Sequence, residues 1–161
     1  MRVGFGYDAH GFDSERPLVL GGVTIEGSPG LSGWSDADVI CHAIADALLG
    51  GACLGDLGSH FTEDSVAQGF SGLEMLRETA KMVDAAGYRL VNIDCVVVIQ
   101  EVRVAPHRER MTGLVAEALG ADQAQVSIKA TTTDRLGFTG RGEGAAGMAV
   151  VLIEPVEGGR P

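Results

Sequence analysis

Cysteine is scarce. Cys41, Cys53 and Cys95 are odd in number and lie in apolar surroundings, which excludes a disulfide framework and reads as reduced, buried thiols in a cytoplasmic protein. Long apolar runs are missing too: none approaches the ~20 residues needed to span a bilayer. The first residues read as a strand, and no signal or transit peptide is expected. Basic residues are few, 12 lysines and arginines against 22 aspartates and glutamates, for a formal net charge of −10. That balance argues against non-specific binding to nucleic acid or to membrane surfaces, which calls for basic patches. It leaves a phosphorylated substrate open, because local cations or metal ions can offset the overall field. Repeats, linkers and low-complexity blocks are absent. A chain of 161 residues, 45% apolar and 21% charged, reads as one globular domain over 1–161, able to hide roughly 70% of its unfolded surface.

Glycine is in excess. Its 24 residues are about twice the usual ~7% share, so many backbone positions call for positive φ or close approach. Residues 2–10 alternate as a strand, and "LVLGGVTIE" reads as a hairpin around Gly21-Gly22. Ser35 then opens a helix, "SDADVICHAIADALLGG", with Asp38 at capping-box spacing, Asp36 at the positive helix end and Gly50-Gly51 as its stop. A glycine-punctuated loop runs from about Cys53 to Gly69. Ser71 and Glu74 start a second helix, with Leu73, Leu76, Ala80 and Val83 inward, that stops at Gly87. "LVNIDCVVVIQ" reads as a central strand. Pro106 opens a third helix through Leu119, with Met111, Leu114, Val115 and Ala118 inward. "QVSIKAT" is a strand, "TTDRLGFTGRGEG" a polar loop and "AAGMAVVLIE" the last strand, with 156–161 expected as a frayed tail. The fold class expected is α+β, one mixed sheet with helices on one face.

Three stretches carry chemistry. In "RVGFGYDAHG", Asp8 and His10 are two residues apart and share one strand face, with Ala9 turned away. A carboxylate and an imidazole there suit a metal, a proton relay or a plain hydrogen bond. Asp38, His42 and Asp46 recur at one-turn spacing and share a helix face. If that helix packs on the first strand, His42 can join Asp8 and His10 as a three-ligand zinc set with an open fourth position, and Asp38 or Asp46 can orient His42 from outside the set. Taken singly, His42 reads first as a satisfied helix histidine. In "SIKATTTDRLGFTGRGEG", Thr131, Thr132 and Thr133 with Asp134 suit phosphate oxygens or a magnesium ion already holding phosphates, or else a charged turn at a strand end. In "GDLGSHF", Gly55 and Gly58 bracket Asp56 in a turn that could face a ligand or simply follow a helix. No Ser-His-Asp or Cys-His arrangement is evident.

Together, "GYDAHGF", "LGGVTI", "SDADVICHAIADALLG", "LGDLGSHF", "PHRERM" and "KATTTDRLGFTGRGEG" closely resemble the 2-C-methyl-D-erythritol 2,4-cyclodiphosphate synthase family of the non-mevalonate isoprenoid pathway. The resemblance covers nearly the whole chain. It implies a fold like that of Bacillus-type chorismate mutase and a homotrimer with active sites between subunits. The implied enzyme is a phosphorus–oxygen lyase that converts 4-diphosphocytidyl-2-C-methyl-D-erythritol 2-phosphate into 2-C-methyl-D-erythritol 2,4-cyclodiphosphate and CMP. Zinc is implied at Asp8, His10 and His42, and magnesium or manganese at Asp134. Thr132 falls where the family polarises the attacked diphosphate. Ala9, Ser35, Asp56, Leu57, Gly58 and Phe61 fall on substrate-binding stretches. The cytidine pocket falls on Ile99 to Ala105, including Arg103, Val104 and Ala105, and on Ala130, Thr131, Thr132 and Thr133. Phe138, Arg141 and Glu143 match residues near the trimer axis, where an apolar channel binds isoprenoid diphosphates in some members; Phe138 and Arg141 also count among the substrate contacts.

This sequence departs from the family pattern at four places, one of them the stretch "TEDSVAQGFSG" after Phe61, about one residue shorter than usual. Trp34 stands where histidine is usual, and is expected to act as an apolar lid. Asp134 replaces a usual glutamate. "QEVRVAPH" replaces a loop with a Pro-Lys pair, where Arg103 can keep the positive charge. These departures leave two other readings: a metal-dependent phosphohydrolase of altered specificity, and a zinc-bearing trimer that senses isoprenoid diphosphates without catalysis.

Overall fold

Strand β1 (Arg2–Leu20) is 19 residues long and serves two partners in the computed structural model, which describes residues 1–156. Its first half, Arg2–Gly11, pairs antiparallel with β5 (Gly144–Pro155); its second half, Phe12–Leu20, pairs with β2 (Val23–Leu31). The strand expected over 2–10 therefore continues into the hairpin arm. Register shifts on both sides of Pro17 absorb the change of partner, as expected where proline removes a ladder donor. Gly21 and Gly22 close the hairpin at φ +55° and +75°, the positive pair that a two-residue primed turn requires.

The sheet is completed by β3 (Tyr88–Val98) and β4 (Val126–Thr131) in the order β2-β1-β5-β3-β4. Only β3 and β4 run parallel, so the sheet is mixed. Helices α1 (Val39–Ala52), α3 (Gly72–Ala85) and α4 (Arg108–Leu119) cover one face. Short helices α2 (Leu57–His60) and α5 (Gly137–Gly140) interrupt stretches expected to be loop. The frayed-tail expectation concerns residues that, beyond Val156, lie outside the described ones.

Helix α1 starts later than the sequence suggests. Asp38, not Ser35, is its N-cap: one carboxylate oxygen accepts from the amides of Ile40 and Cys41 at 3.1 and 3.2 Å. The same fully buried carboxylate takes the amides of Gly21 and Gly22 at 2.9 and 2.7 Å, tying the hairpin turn to the helix start. Four backbone donors depend on one side chain, and leaving a buried donor unpaired costs about 1–3 kcal/mol. The helix also runs past Gly50-Gly51 to Ala52 and closes on Cys53 in the left-handed region. Of the three thiols expected buried, Cys41 and Cys95 are; burial pushes Cys95 up to about 12 and Cys41 well above its ordinary value. Cys53 is exposed instead, because it sits at the helix cap.

Along the first half of β1, even positions face the helices and odd positions face away. Gly4 and Gly6 lie under α1, where an added Cβ would overlap the carbonyl oxygens of Ala47 and Ala43. Gly147 on β5 meets the carbonyl oxygen of Val39 in the same way. The odd positions Val3, Phe5 and Tyr7 are 67%, 61% and 48% exposed, and Val150 of β5 is 45% exposed. The uncovered sheet face is thus apolar. Among the described residues no helix is long and apolar enough to cross a membrane.

The contact of α1 with the glycine floor makes a direct prediction. Gly6→Ala should destabilise the protein by about 3 kcal/mol, since rigid backbone has to move. Urea unfolding at fixed protein concentration checks this as a lower midpoint with an unchanged slope.

Candidate metal centre and active site

Beyond Gly4 and Gly6, the same face of β1 carries candidate metal ligands. Asp8 and His10 continue the even face of Gly4 and Gly6, and His42 comes down from α1 beside Ala43. His42 Nδ1 lies 3.0 Å from Asp8 Oδ2, and His10 Nε2 lies 3.1 Å from the same oxygen. The two imidazoles meet edge to face with ring centres 5.7 Å apart. One donor atom from each of the three residues lies within 4.8 Å of the other two. Two imidazole nitrogens and a carboxylate oxygen are a donor set suited to zinc, with a position left for substrate.

Charge is concentrated at this point. Burial pushes the Asp8 carboxyl up, but hydrogen bonds from His10 and His42 outweigh it and hold the group well below the usual carboxylate range. Burial likewise works against the charged form of His42, yet its bond to Asp8 and the fields of Asp8, Asp38 and Asp36 raise its pKa above the ordinary histidine value. Asp36 is raised by its own burial and then by the neighbouring charge of Asp38.

The neighbours of His42 are not those expected. Asp38 caps the helix, and Asp46 Oδ1 accepts the amide of Leu57 at 3.2 Å, anchoring α2. The outer nitrogen of His42, Nε2, instead faces Ser35 Oγ at 3.2 Å and Asp36 Oδ1 at 3.8 Å. The helix-face spacing of Asp38 and Asp46 suggested the wrong carboxylates, because both turn toward backbone donors. Asp36, read from sequence only as a helix-end charge, reaches both His42 and the amide of Gly72 at the start of α3, the latter at 2.8 Å.

Asp46 ties the "GDLGSHF" stretch to α1, one turn beyond His42. Asp56 caps α2, accepting from the amide and hydroxyl of Ser59 at 2.9 and 2.6 Å. Those bonds lower its pKa. Phe61 stacks on Phe70 with ring centres 6.1 Å apart, and Leu57 packs against the core, while Gly58 lies within the short helix. Trp34 is 40% exposed; its indole N–H donates to the Val66 carbonyl at 3.1 Å, and its own carbonyl accepts from Gly69 at 2.8 Å. Ala9 points to the opposite sheet face, away from Asp8 and His10.

The threonine run lies elsewhere on the same end of the sheet. Asp8 pairs with Gly147, Gly147 with Val97, and Val97 with Ala130. Three strand spacings therefore separate Asp8 from Ala130, roughly 14 Å. Beyond Ala130, Thr132 Oγ1 and Asp134 exchange contacts at 3.5 Å, and Thr133 Oγ1 donates to the Leu136 carbonyl at 2.6 Å. Asp134 and Arg135 both adopt positive φ, a turn that exposes their side chains. The stretch from Ile99 to Ala105 is brought alongside: the Ile99 amide donates to Thr131 O at 3.1 Å, and the Arg135 amide to Gln100 Oε1 at 3.3 Å. There Val104 is buried, while Arg103 and Ala105 are exposed. Phe138 and Arg141 follow on α5 and its cap, and Arg141 makes a two-point ion pair with Glu143 at 2.6 and 3.0 Å.

Comparison with known proteins gives the family. Residues 1–154 match the YgbB family. A 2-C-methyl-D-erythritol 2,4-cyclodiphosphate synthase of Syntrophobacter fumaroxidans is 53% identical over 95% of this chain and 97% of its own length. The protein of the same name from Moorella thermoacetica is 52% identical over 99% of this chain and 98% of its own. A solved structure described as a CDP complex of IspF from Plasmodium falciparum superposes with a TM-score of 0.84 at 29% identity, covering 96% of each chain. With its donor cluster, its threonine turn and this likeness along almost its whole length, the chain belongs to the YgbB family, the family of the 2-C-methyl-D-erythritol 2,4-cyclodiphosphate synthases.

Proposed function

We propose that Asp8, His10 and His42 hold zinc in one subunit of a homotrimer, and that the neighbouring subunit completes each active site with its threonine turn and cytidine loop. The reaction is that of the family: 4-diphosphocytidyl-2-C-methyl-D-erythritol 2-phosphate becomes 2-C-methyl-D-erythritol 2,4-cyclodiphosphate with release of CMP, by a phosphorus–oxygen lyase. The convergence of Asp8 Oδ2, His10 Nε2 and His42 Nδ1 on one point carries the metal reading.

An oxygen of the 2-phosphate forms a bond to the β-phosphorus, and the bond from that phosphorus to the bridging oxygen breaks, so the electron pair leaves with CMP. The nucleophile is already ionised, and no side chain has to act as nucleophile or strong base. When bound, zinc and a magnesium or manganese ion at Asp134 supply neutralisation of diphosphate charge. The chain's own residues hold the folded substrate: Asp56 and Gly58 offer hydrogen-bonding groups for the methylerythritol part, Thr132 and Thr133 hydroxyls for the diphosphate, and Arg103 a cation near the nucleotide. Holding an intramolecular nucleophile in place can supply ~7–11 kcal/mol.

Two observations support the trimer, with a Bacillus chorismate mutase-like arrangement of sheets inside and helices outside. The uncovered sheet face carries Val3, Phe5 and Tyr7, an apolar patch that calls for cover. The separation of roughly 14 Å between Asp8 and Ala130 along three strands is too wide for one diphosphate to bridge within a subunit. A groove of about 580 Å³, lined by Tyr7, Leu136, Phe138 and Met148 among others, would then face the trimer axis beside Arg141 and Glu143 and could take an isoprenoid diphosphate. Cytoplasmic residence belongs to the same reading.

Three outcomes are expected. First, phosphorus NMR of the protein with the cytidylylated substrate and magnesium should show cyclic diphosphate and CMP. Inorganic phosphate would point to a phosphohydrolase, and an unchanged substrate to a sensor; His42→Ala should lose both product and bound zinc. Second, zinc affinity should fall with acid. Protonated imidazole cannot ligate, and the pKa of His42 is raised, so loss begins above the ordinary histidine range and steepens to about tenfold per unit per displaced proton. Asp8 stays ionised throughout, and chelator competition between pH 8 and 5.5 reads the slope. A flat profile would remove His42 from the ligand set. Third, Trp34→His should change the rate of CMP release by less than about tenfold if the indole only covers the site; a larger loss of turnover would make Trp34 integral to it.

A further inference from the structure

Segment 33–36 backs both imidazoles of the metal centre. A Cβ added at Gly33 would lie 3.2 and 3.4 Å from Cε1 and Nδ1 of His10, so the backbone of Gly33 is the wall against which that ring rests. Ser35 Oγ and Asp36 Oδ1 face the outer nitrogen of His42 at 3.2 and 3.8 Å. This segment has left the sheet and has not entered α1, so it lacks regular backbone partners. Several of its backbone groups are nevertheless paired. Trp34 O accepts from Gly69, and the Asp36 amide donates to Phe70 O at 3.1 Å. The carbonyls of Gly33 and Ser35 both accept from one side chain: Arg16 gives Nη1 to the first and Nη2 to the second.

Arg16 is itself well placed to act as a clamp. It stands on β1 in the irregular stretch beside Pro17, half-buried, and its main chain is pressed against Gly30, where an added Cβ would overlap the Arg16 carbonyl. Its guanidinium has no acidic partner among the described residues. The planar fork spans the two carbonyls on either side of Trp34, a geometry that lysine cannot reproduce with one nitrogen.

We infer that Arg16 is a positioning residue for the metal centre: its fork fixes segment 33–36, and that segment sets the orientation of His10 and His42. This rests on the reading of Asp8, His10 and His42 as metal ligands. Groups that orient metal-bound histidines typically change affinity 10–100-fold when removed, and Arg16 acts one contact further out.

The test uses the full chain with Co²⁺ alone as the probe. Arg16→Met keeps the apolar stem and removes the fork; Arg16→Lys keeps the charge and offers a single donor. Affinity is read by chelator competition, ligand geometry by the visible spectrum of the cobalt-loaded protein, and folding by thermal unfolding without metal. Arg16→Met should bind Co²⁺ about tenfold more weakly with altered band intensity, and Arg16→Lys should recover part of both. Wild-type affinity and spectrum in both variants would overturn the inference, whatever happens to the melting temperature. If Arg16→Met does not fold, Arg16→Lys decides alone: weaker binding with an altered spectrum at wild-type melting temperature supports the clamp, and an unchanged spectrum overturns it. A wild-type protein that gives no cobalt spectrum would overturn the metal reading and this inference with it, which separates the two failures.

Discussion

Helix α1 lies so close to strand β1 that no Cβ fits between them, and most of the molecule is arranged around that contact. The helix presents a ridge of backbone carbonyls at Val39, Ala43 and Ala47, and the sheet answers with Gly147, Gly6 and Gly4. Gly51 continues the contact onto Gly4, which is why this glycine sits inside the helix rather than ending it. Because strand side chains alternate, the same face that is glycine at 4 and 6 becomes aspartate at 8 and histidine at 10. The floor opens where the helix brings His42, and the donor cluster forms at the end of the closest packing in the fold.

The acidic residues around this contact act largely as ties. Asp38 joins the hairpin turn to the start of α1, Asp46 joins α1 to α2, and Asp36 joins the segment before α1 to the start of α3. Each gives its oxygens to backbone amides, so carboxylates take the place of a larger apolar core at the element ends. A consequence is a strongly negative environment beside a site whose substrates are phosphates. A cation held at the proposed metal centre would resolve that conflict locally, which suits a chain of net charge −10 better than a surface of lysines and arginines would.

The sheet divides its two faces unequally. The helix-covered face is closed by small residues, while the other face carries Val3, Phe5, Tyr7 and Val150 in the open. The proposed trimer buries that face, and in the same act brings a second subunit's threonine turn toward the donor cluster. Assembly and completion of the active site would then be one event driven by apolar burial.

Much was legible in the sequence because it is local. The hairpin at Gly21-Gly22, the cap at Ser71 and the stop by Gly87, the strand alternation of Asp8 and His10, and the motif order that marks the family all depend on neighbours a few residues away. What was misread depends on partners far along the chain. Asp38 and Asp46 share a helix face with His42, yet their oxygens go to Gly21, Gly22 and Leu57, because buried amides with no other acceptor compete for them. Ser35 left the helix to stand beside His42, and Arg16, 17 and 19 residues from the carbonyls it holds, carried no local signal at all. Residue types and spacing by themselves placed Asp8 and His10 on one strand face and His42 on a helix, since both follow from periodicity. Only the tertiary structure decided which groups orient those donors, since hydrogen bonds form with whatever the packed backbone leaves unpaired.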